Sequence, residues 1–387
     1  MKRLLLLYSI FCFHLSAFSQ IDSIAQNIVD TIKSKLIIEE IPHKTVFEKF
    51  MYPHRWYIKK RLEKRPVDFD TTYIKTNKRK LTISLPVAKK FYGYNLHDLS
   101  TNKSFKVSPN HYYQVGFSLS NLIVTFGVFP GIRFGDDPDK GKTRGVNLQV
   151  TVIGRKIITD LNVQNYRSFY TYNSSEFQIK GLVPDSFNVR PDIKLFSFGI
   201  NTMYVFKPRK YSLRGAFSFA DVQRKSAGSF MAGVYHSYAE LRGEDTTLVS
   251  YPFRDNFSDQ VNTIKKLTST TLGLSIGYGY TYVYKKIIFS NCLNVGMGGQ
   301  TTNFYTIDDS HFKQPICSSV HVNAKSTLRY DDLRFFSGVL ATYENNYALS
   351  TTNFKTENYM AKVMVFVGYR FNFNSRKILK KLKLIDY

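Results

Sequence analysis

From Leu272 to Tyr284 the chain reads Leu-Gly-Leu-Ser-Ile-Gly-Tyr-Gly-Tyr-Thr-Tyr-Val-Tyr, with a large apolar or aromatic residue at every even position and, Val283 apart, Gly, Ser or Thr at every odd one. A period of two is the period of a strand, because successive side chains leave opposite faces of the pleat. Bulk on one face and small polar residues on the other suit a sheet that shows hydrocarbon outward and a narrow watery bore inward. The pattern recurs. Val363, Val365, Val367, Tyr369, Phe371 and Phe373 oppose Lys362, Gly368, Arg370 and Asn372. Val146, Leu148, Val150 and Val152 alternate with Asn147, Gln149 and Thr151, and Phe196, Phe198, Ile200, Tyr204 and Phe206 alternate with Ser197, Gly199 and Asn201. A soluble β-sandwich alternates too, but its apolar face points inward. Here the residues opposite the apolar face are so often Gly and Ser that the expected fold is all-β, an antiparallel up-and-down transmembrane β-barrel. The 27 Tyr and 32 Phe against a single Trp fit aromatic girdles and lumen lining.

Lys2 and Arg3 precede an apolar run from Leu4 to Leu15, and Ala17 and Ser19 are the small residues of a cleavage point, so residues 1–19 read as a secretory signal peptide. The expected location is a Gram-negative outer membrane with both termini periplasmic. Residues 20–78 carry no strand pattern and read as a partly helical periplasmic extension, residues 79–373 as the barrel, and residues 374–387 as a basic amphipathic periplasmic tail. The formal net charge is +25. That excess calls for anions: the phosphates of outer-membrane lipid and lipopolysaccharide, a small anionic solute in the lumen, or an acidic periplasmic partner held by the basic extensions. An exported barrel does not meet nucleic acid.

Short turns near 119–121, 154–155, 207–210, 285 and 331–332 alternate with long polar connections at 95–110, 131–142, 172–191, 243–265, 302–314 and 348–357. Short periplasmic turns and long outer loops with an even strand number are the rule for such barrels. Twelve strands satisfy it if Tyr211 to Arg242 is one long interrupted strand, with the run Gln223 to Ser229 as a bulge inside it. Charges on inward-facing or bulged positions are tolerable only against water or polar groups, so Arg224, Lys225, Lys362 and Arg370 are the candidate lumenal anion contacts, with a strained turn at the barrel rim as the other, simpler reading of the run that holds Arg224 and Lys225. Cys292 and Cys317 fall on the inward parity of adjacent strands, where a disulfide is conceivable and packing is the simpler role.

The stretches Val152 to Leu161 and Gln164 to Tyr170, with Ser108-Pro109-Asn110, Asp192 to Phe206, Tyr211 to Phe217, Gln223 to Gly233 and Gly277 to Tyr280, resemble a family known only as domain of unknown function 4421. The resemblance runs from about Asp68 to Phe373. It implies an outer-membrane barrel of uncharacterised activity and carries no catalytic residues.

No zinc-ligand spacing, phosphate-binding glycine loop or paired-carboxylate signature is present, so no metal or other cofactor is expected. Asp136, Asp137 and Asp139 lack the ligand spacing of a calcium loop. Ser319, His321 and Asn323 share one face of a strand, the arrangement from which a lipid hydrolase or acyltransferase could draw a nucleophile and base; such a pair is more often ordinary lumen lining. The leading expectation is a narrow channel or binding barrel for a small, possibly anionic solute. A non-conducting scaffold that holds a periplasmic partner is the alternative, and the lipid-modifying enzyme comes after both.

Overall fold

The computed structural model describes residues 68–77, 80–120, 126–128, 133–177, 187–244, 246–349 and 353–372. The expected signal peptide, most of the extension and the basic tail lie outside them. Seventeen strands follow in chain order. They are β1 (Ile74–Thr76), β2 (Lys80–Asp98), β3 (Lys103–Ser108), β4 (Tyr113–Val115), β5 (Phe117–Ser120), β6 (Phe126–Val128), β7 (Arg133–Phe134), β8 (Arg144–Ile153) and β9 (Ile157–Thr171). Then come β10 (Asn188–Val205), β11 (Asp221–Gln223), β12 (Ala227–Arg242), β13 (Ile264–Tyr284), β14 (Ile287–Thr306), β15 (His311–Asp331), β16 (Phe335–Leu349) and β17 (Phe354–Asn372).

Antiparallel pairing runs β2-β3-β9-β10-β12-β13-β14-β15-β16-β17 and returns to β2, a closed ring of ten. Within this ring closure leaves no edge strand to be solvated, which is what a sheet in lipid requires. The strands β3, β4 and β5 form one interrupted run beside β2, because the rungs Asp98–Lys103, Val87–Val115 and Thr82–Ser120 follow one another along it. Two further runs lie below the point where β3 meets β9: β6 with β7, attached to β5 and β4, and β8, attached to β9 along its whole length. Among the described residues ten strands therefore close the ring and these extra runs attach to it, close to the twelve expected from loop parity. The first and last barrel strands start and finish together, Lys80 opposite Asn372; we call this the terminal end and the opposite one the loop end.

The faces separate as the alternation demands. Leu274 and Ile276 are 70% and 73% exposed while Ser275 between them is 3% exposed. The outer belt continues through Leu293, Val295, Val363, Val365 and Val367, with Tyr278, Tyr280, Tyr282, Tyr330, Tyr369 and Phe371 toward the terminal end. Burying such a belt in hydrocarbon is worth about 25 cal/mol for each Å².

Three expectations need correction. Residues Tyr211 to Arg242 are not one strand: β12 begins at Ala227, and Arg214–Ser218 is a single π-helical turn that folds back into the barrel. The connections at 95–110 and 302–314 are mostly strand, with turns only at 99–102 and 307–310. Finally, β1, placed in the extension, pairs with β11 from Ile74–Gln223 to Thr76–Asp221.

Candidate functional site

The bore is filled in three tiers. At the terminal end the segment 211–223 is a plug. Tyr211 and Leu213 pack among Ile158, Met203, Val205 and Met231, and Phe219 packs among Phe336, Leu340 and Phe366. Small wall residues make room for it: a Cβ on Gly279 would fall 2.2 Å from the Tyr211 hydroxyl. Phe219 holds a left-handed backbone, φ 58°, which a bulky residue keeps only when its surroundings impose it. Its ring stacks on Phe366 at 4.3 Å, and its carbonyl accepts from Arg370 at 3.3 Å. Arg329 reaches the same segment through the Gly215 carbonyl at 2.6 Å.

At the loop end the β12–β13 connection turns inward as a cap. Leu248, Val249, Phe253, Phe257 and Val261 bury themselves against Leu96, Phe105, Val107, Leu195, Leu267 and Phe304 from around the wall. Buried Arg190 fastens it, donating to the carbonyls of Leu248 and Thr247 at 2.6 and 2.8 Å while Asp192 neutralises its charge at 2.7 Å.

Between plug and cap, side chains span the bore. Lys325 of β15 meets Asp160 of β9 at 2.5 Å, Asn162 donates to Glu344 at 3.2 Å, and Lys362 of β17 donates to Gln149 of β8 at 2.7 Å. Tyr235 lies flat on His321, ring centroids 4.3 Å apart; Gly273 and Gly296 permit this, since a Cβ on either would stand 2.6 Å from the Tyr235 ring. Lys90 of β2 is directly opposite Lys362 in the ladder, and both occupy inward positions. Ionisable groups inside a spanning barrel are costly, which makes this tier the candidate site.

Residues 68–371 match the family described as domain of unknown function 4421. The chain belongs to that family. No curated protein matches it. Similar solved structures include the outer membrane protease OmpT of Escherichia coli, 9% identical, covering 76% of this chain and 98% of that one with a TM-score of 0.32. The toluene transporter TodX of Pseudomonas putida is 10% identical over 76% of this chain and 90% of its own, TM-score 0.21. Neisserial surface protein A is 9% identical over 73% and 96%, TM-score 0.20. Likeness at this level carries no activity to the family member described here.

In this domain of unknown function 4421 barrel the four expected anion contacts separate. Lys362 lies in the central tier. Arg370 lies inside too, but its two terminal nitrogens face Asp331 of β15 at 2.7 and 2.9 Å, so its charge is spent on that carboxylate. Arg224 and Lys225 are exposed on the turn between β11 and β12 and do not line the bore; Arg224 donates to the Thr71 carbonyl at 3.3 Å and Lys225 sits over the Tyr73 ring at 5.6 Å. The reason is the plug, which occupies the chain where a bulged strand would have turned them inward.

Ser319, His321 and Asn323 are all buried. His321 Nδ1 donates to Asn346 at 2.8 Å, whereas Ser319 Oγ and His321 Nε2 have no hydrogen-bond partner, so the serine and histidine do not form a nucleophile–base pair. Cys292 and Cys317 are free: Cys292 faces Lys325 and Cys317 faces Gln300, eight rungs apart, beyond any disulfide's reach. Among the described residues no group of His, Cys, Asp and Glu could hold a metal ion, and Asp137 instead caps a short 3₁₀ turn through the Asp139 amide at 3.1 Å. Lys90, Asp160, Lys325 and Glu344 escaped the sequence reading; charge on the inward parity of a strand was the signal that could have found them.

Proposed function

We propose that this protein is an outer-membrane barrel, with both termini periplasmic, that binds a small anion between Lys90 and Lys362 in a bore closed at rest. One observation carries the reading: two lysines directly opposed in the β2–β17 ladder, both facing the interior. Like charges repel by about 4 kcal/mol at 4 Å and an effective dielectric of 20, and by less as they part. Lys362 forms no ion pair among the described residues, its acceptor being the neutral amide of Gln149. A carboxylate or phosphate oxygen between the two ammonium groups would turn that repulsion into attraction.

The test is the thermal shift of the purified barrel in neutral detergent on titration with sodium acetate against a matched chloride series. Stabilisation of the wild type that is lost in Lys362→Met and in Lys90→Met supports the reading; equal shifts in all three proteins overturn it. A scaffold role is favoured by a different observation, the three-tier filling of the bore together with the exposed Arg224 and Lys225 on the terminal face. Planar-bilayer recordings bear on the closure itself, and steady open steps from the wild type would refute it.

A further inference from the structure

Arg144, Arg167, Lys194, Arg242 and Lys266 stand directly opposite one another on the successive strands β8, β9, β10, β12 and β13. The same row runs on through Tyr305 of β14 to His311 of β15. Directly opposed residues share a face of the sheet, and parity makes this the outer face. One step of the same parity along β8 and β10, Val146 and Phe196 are 70% and 39% exposed. The row belongs to the loop end, where β12 finishes at Arg242 and β13 starts at Ile264. At about 4.8 Å between neighbouring strands, its five cations cover roughly 19 Å of the outer wall.

Like charges directly opposite one another destabilise a sheet, and the protein neutralises only part of this row. Among the described residues two carboxylates touch it. Glu244 forms a short pair with Lys194 and meets Arg167 at 2.8 Å, and Glu240 lies 3.2 Å from Lys266 and 3.8 Å from Arg242. Two negative charges against five positive leave an excess, and Arg144, Arg167 and Arg242 are exposed. An anion from outside relieves that repulsion, and the planar fork of arginine suits phosphate oxygens.

The neighbouring residues decide the class of anion. On β8 and β10 the cations give way at once to Val146 and Phe196, and then to Leu148 and Phe198. On β13 the apolar belt starts only at Leu272, beyond Thr268 and Thr270. Barrel strands are tilted, so a row perpendicular to them climbs as it crosses the wall. One end therefore meets the edge of the hydrocarbon and the other stands above it, over the hydrogen-bonding groups of Thr268 and Asn303, which oppose each other. Charge, then hydrogen-bonding groups, then hydrocarbon is the order of groups in a phosphorylated sugar that carries acyl chains.

We infer that this row is the docking surface for a phosphorylated, acylated glycolipid of the outer leaflet. Its phosphates lie on the five cations, its sugar hydroxyls on Thr268 and Asn303, and its acyl chains along Val146, Phe196 and Leu148. The inference rests on the orientation proposed above, with both termini periplasmic, which puts the loop end in the outer leaflet; it is independent of the lysine pair in the bore.

Native mass spectrometry of the full chain in maltoside detergent tests it, with diphosphoryl lipid A, the same glycolipid stripped of phosphate, and phosphatidylglycerol as probes. Diphosphoryl lipid A is expected to bind at least about tenfold tighter than either of the others. Arg144→Gln, Arg242→Gln and Lys266→Gln combined should weaken it at least about tenfold. Lys103→Gln, Lys106→Gln and Lys355→Gln combined, on β3 and β17 outside the row, should leave it within about twofold. Glu240→Gln releases two cations and should tighten binding about threefold, a gain that a folding defect cannot imitate. Equal affinity for the three lipids, a triple row variant that binds like the wild type, an equal loss in the β3 and β17 variant, or no tightening in Glu240→Gln overturns the glycolipid surface. If the triple row variant does not fold, Glu240→Gln decides alone. Orientation is read separately by an impermeant maleimide on intact cells carrying Tyr251→Cys, a loop-end position that is 83% exposed. Labelling is expected; its absence, when the same protein labels after denaturation, removes the orientation and this surface with it.

Discussion

Arg370 and Asp331 face each other from β17 and β15 across the intervening strand, guanidinium to carboxylate through two bonds of 2.7 and 2.9 Å, with both side chains fully buried. Arg329 adds a third contact to the same carboxylate at 3.2 Å. Removing one member of such a pair leaves a bare charge in a dry place and costs roughly 3–5 kcal/mol. Arg370→Met should therefore lower denaturant stability by about that amount. Because the same guanidinium holds the Phe219 carbonyl, the variant should also leak in bilayer recordings. Asp331→Asn with Arg370→Met should cost clearly less than the two single losses added, as expected for residues in contact.

The loop-end cap hangs on Arg190. Arg190→Ala strands the carbonyls of Thr247 and Leu248 and the carboxylate of Asp192. An expected loss of about 2–3 kcal/mol should appear as rapid cleavage between 243 and 263 by a protease added to intact barrels. A cleavage rate equal to wild type would mean that the apolar side chains alone hold the cap down.

Glu244 lies outside the spanning strands, between Lys194, with which it forms a short ion pair, and Arg167 at 2.8 Å. The hydrogen bond from Lys194 foremost, then the Arg167 charge working against partial desolvation, holds its carboxyl below the ordinary 4.5. A depressed carboxylate contributes stability that is present above its unfolded value and is lost as pH falls through the folded one. The protection factors of the cap amides, with the intrinsic pH dependence of exchange divided out, should accordingly be flat from neutral pH down to the ordinary glutamate range and fall below it. Glu244→Gln should show the lower protection throughout.

Lys362→Met should raise stability in the absence of ligand. It removes an ammonium that faces Lys90 and donates to a neutral amide, and the expected gain is about 1–3 kcal/mol by the Coulomb arithmetic. Chemical denaturation in acetate-free buffer reads it. A loss instead would show that Lys362 is structural.

The strand period was legible because lipid and a packed bore impose opposite chemistry on alternate residues, as Leu274, Ser275 and Ile276 display. What misled was alternation serving another purpose. Tyr211 and Leu213 read as strand residues, yet their rings and branches fill a plug around a π-helical turn. Conversely, Phe304 and Phe312 stack at 4.9 Å above the apolar belt, and polar outward neighbours made these extended strands look like loop. At the site, Lys362 was legible from its parity. Lys90 carried the same parity signal, but that it stands opposite Lys362 did not show, because the pairing of the first strand with the last is a matter of closure that no local pattern contains.

The two-rung junction of β3 with β9 has a mechanical meaning. Within the ring of ten, every other pairing of neighbours has five rungs or more; at Val107 and Ser108 there are two. A cylinder under strain tears along its weakest seam. Thermal unfolding, or force applied to the rim, should start between these strands and release the flap of β4 to β8 before any other part of the wall gives way.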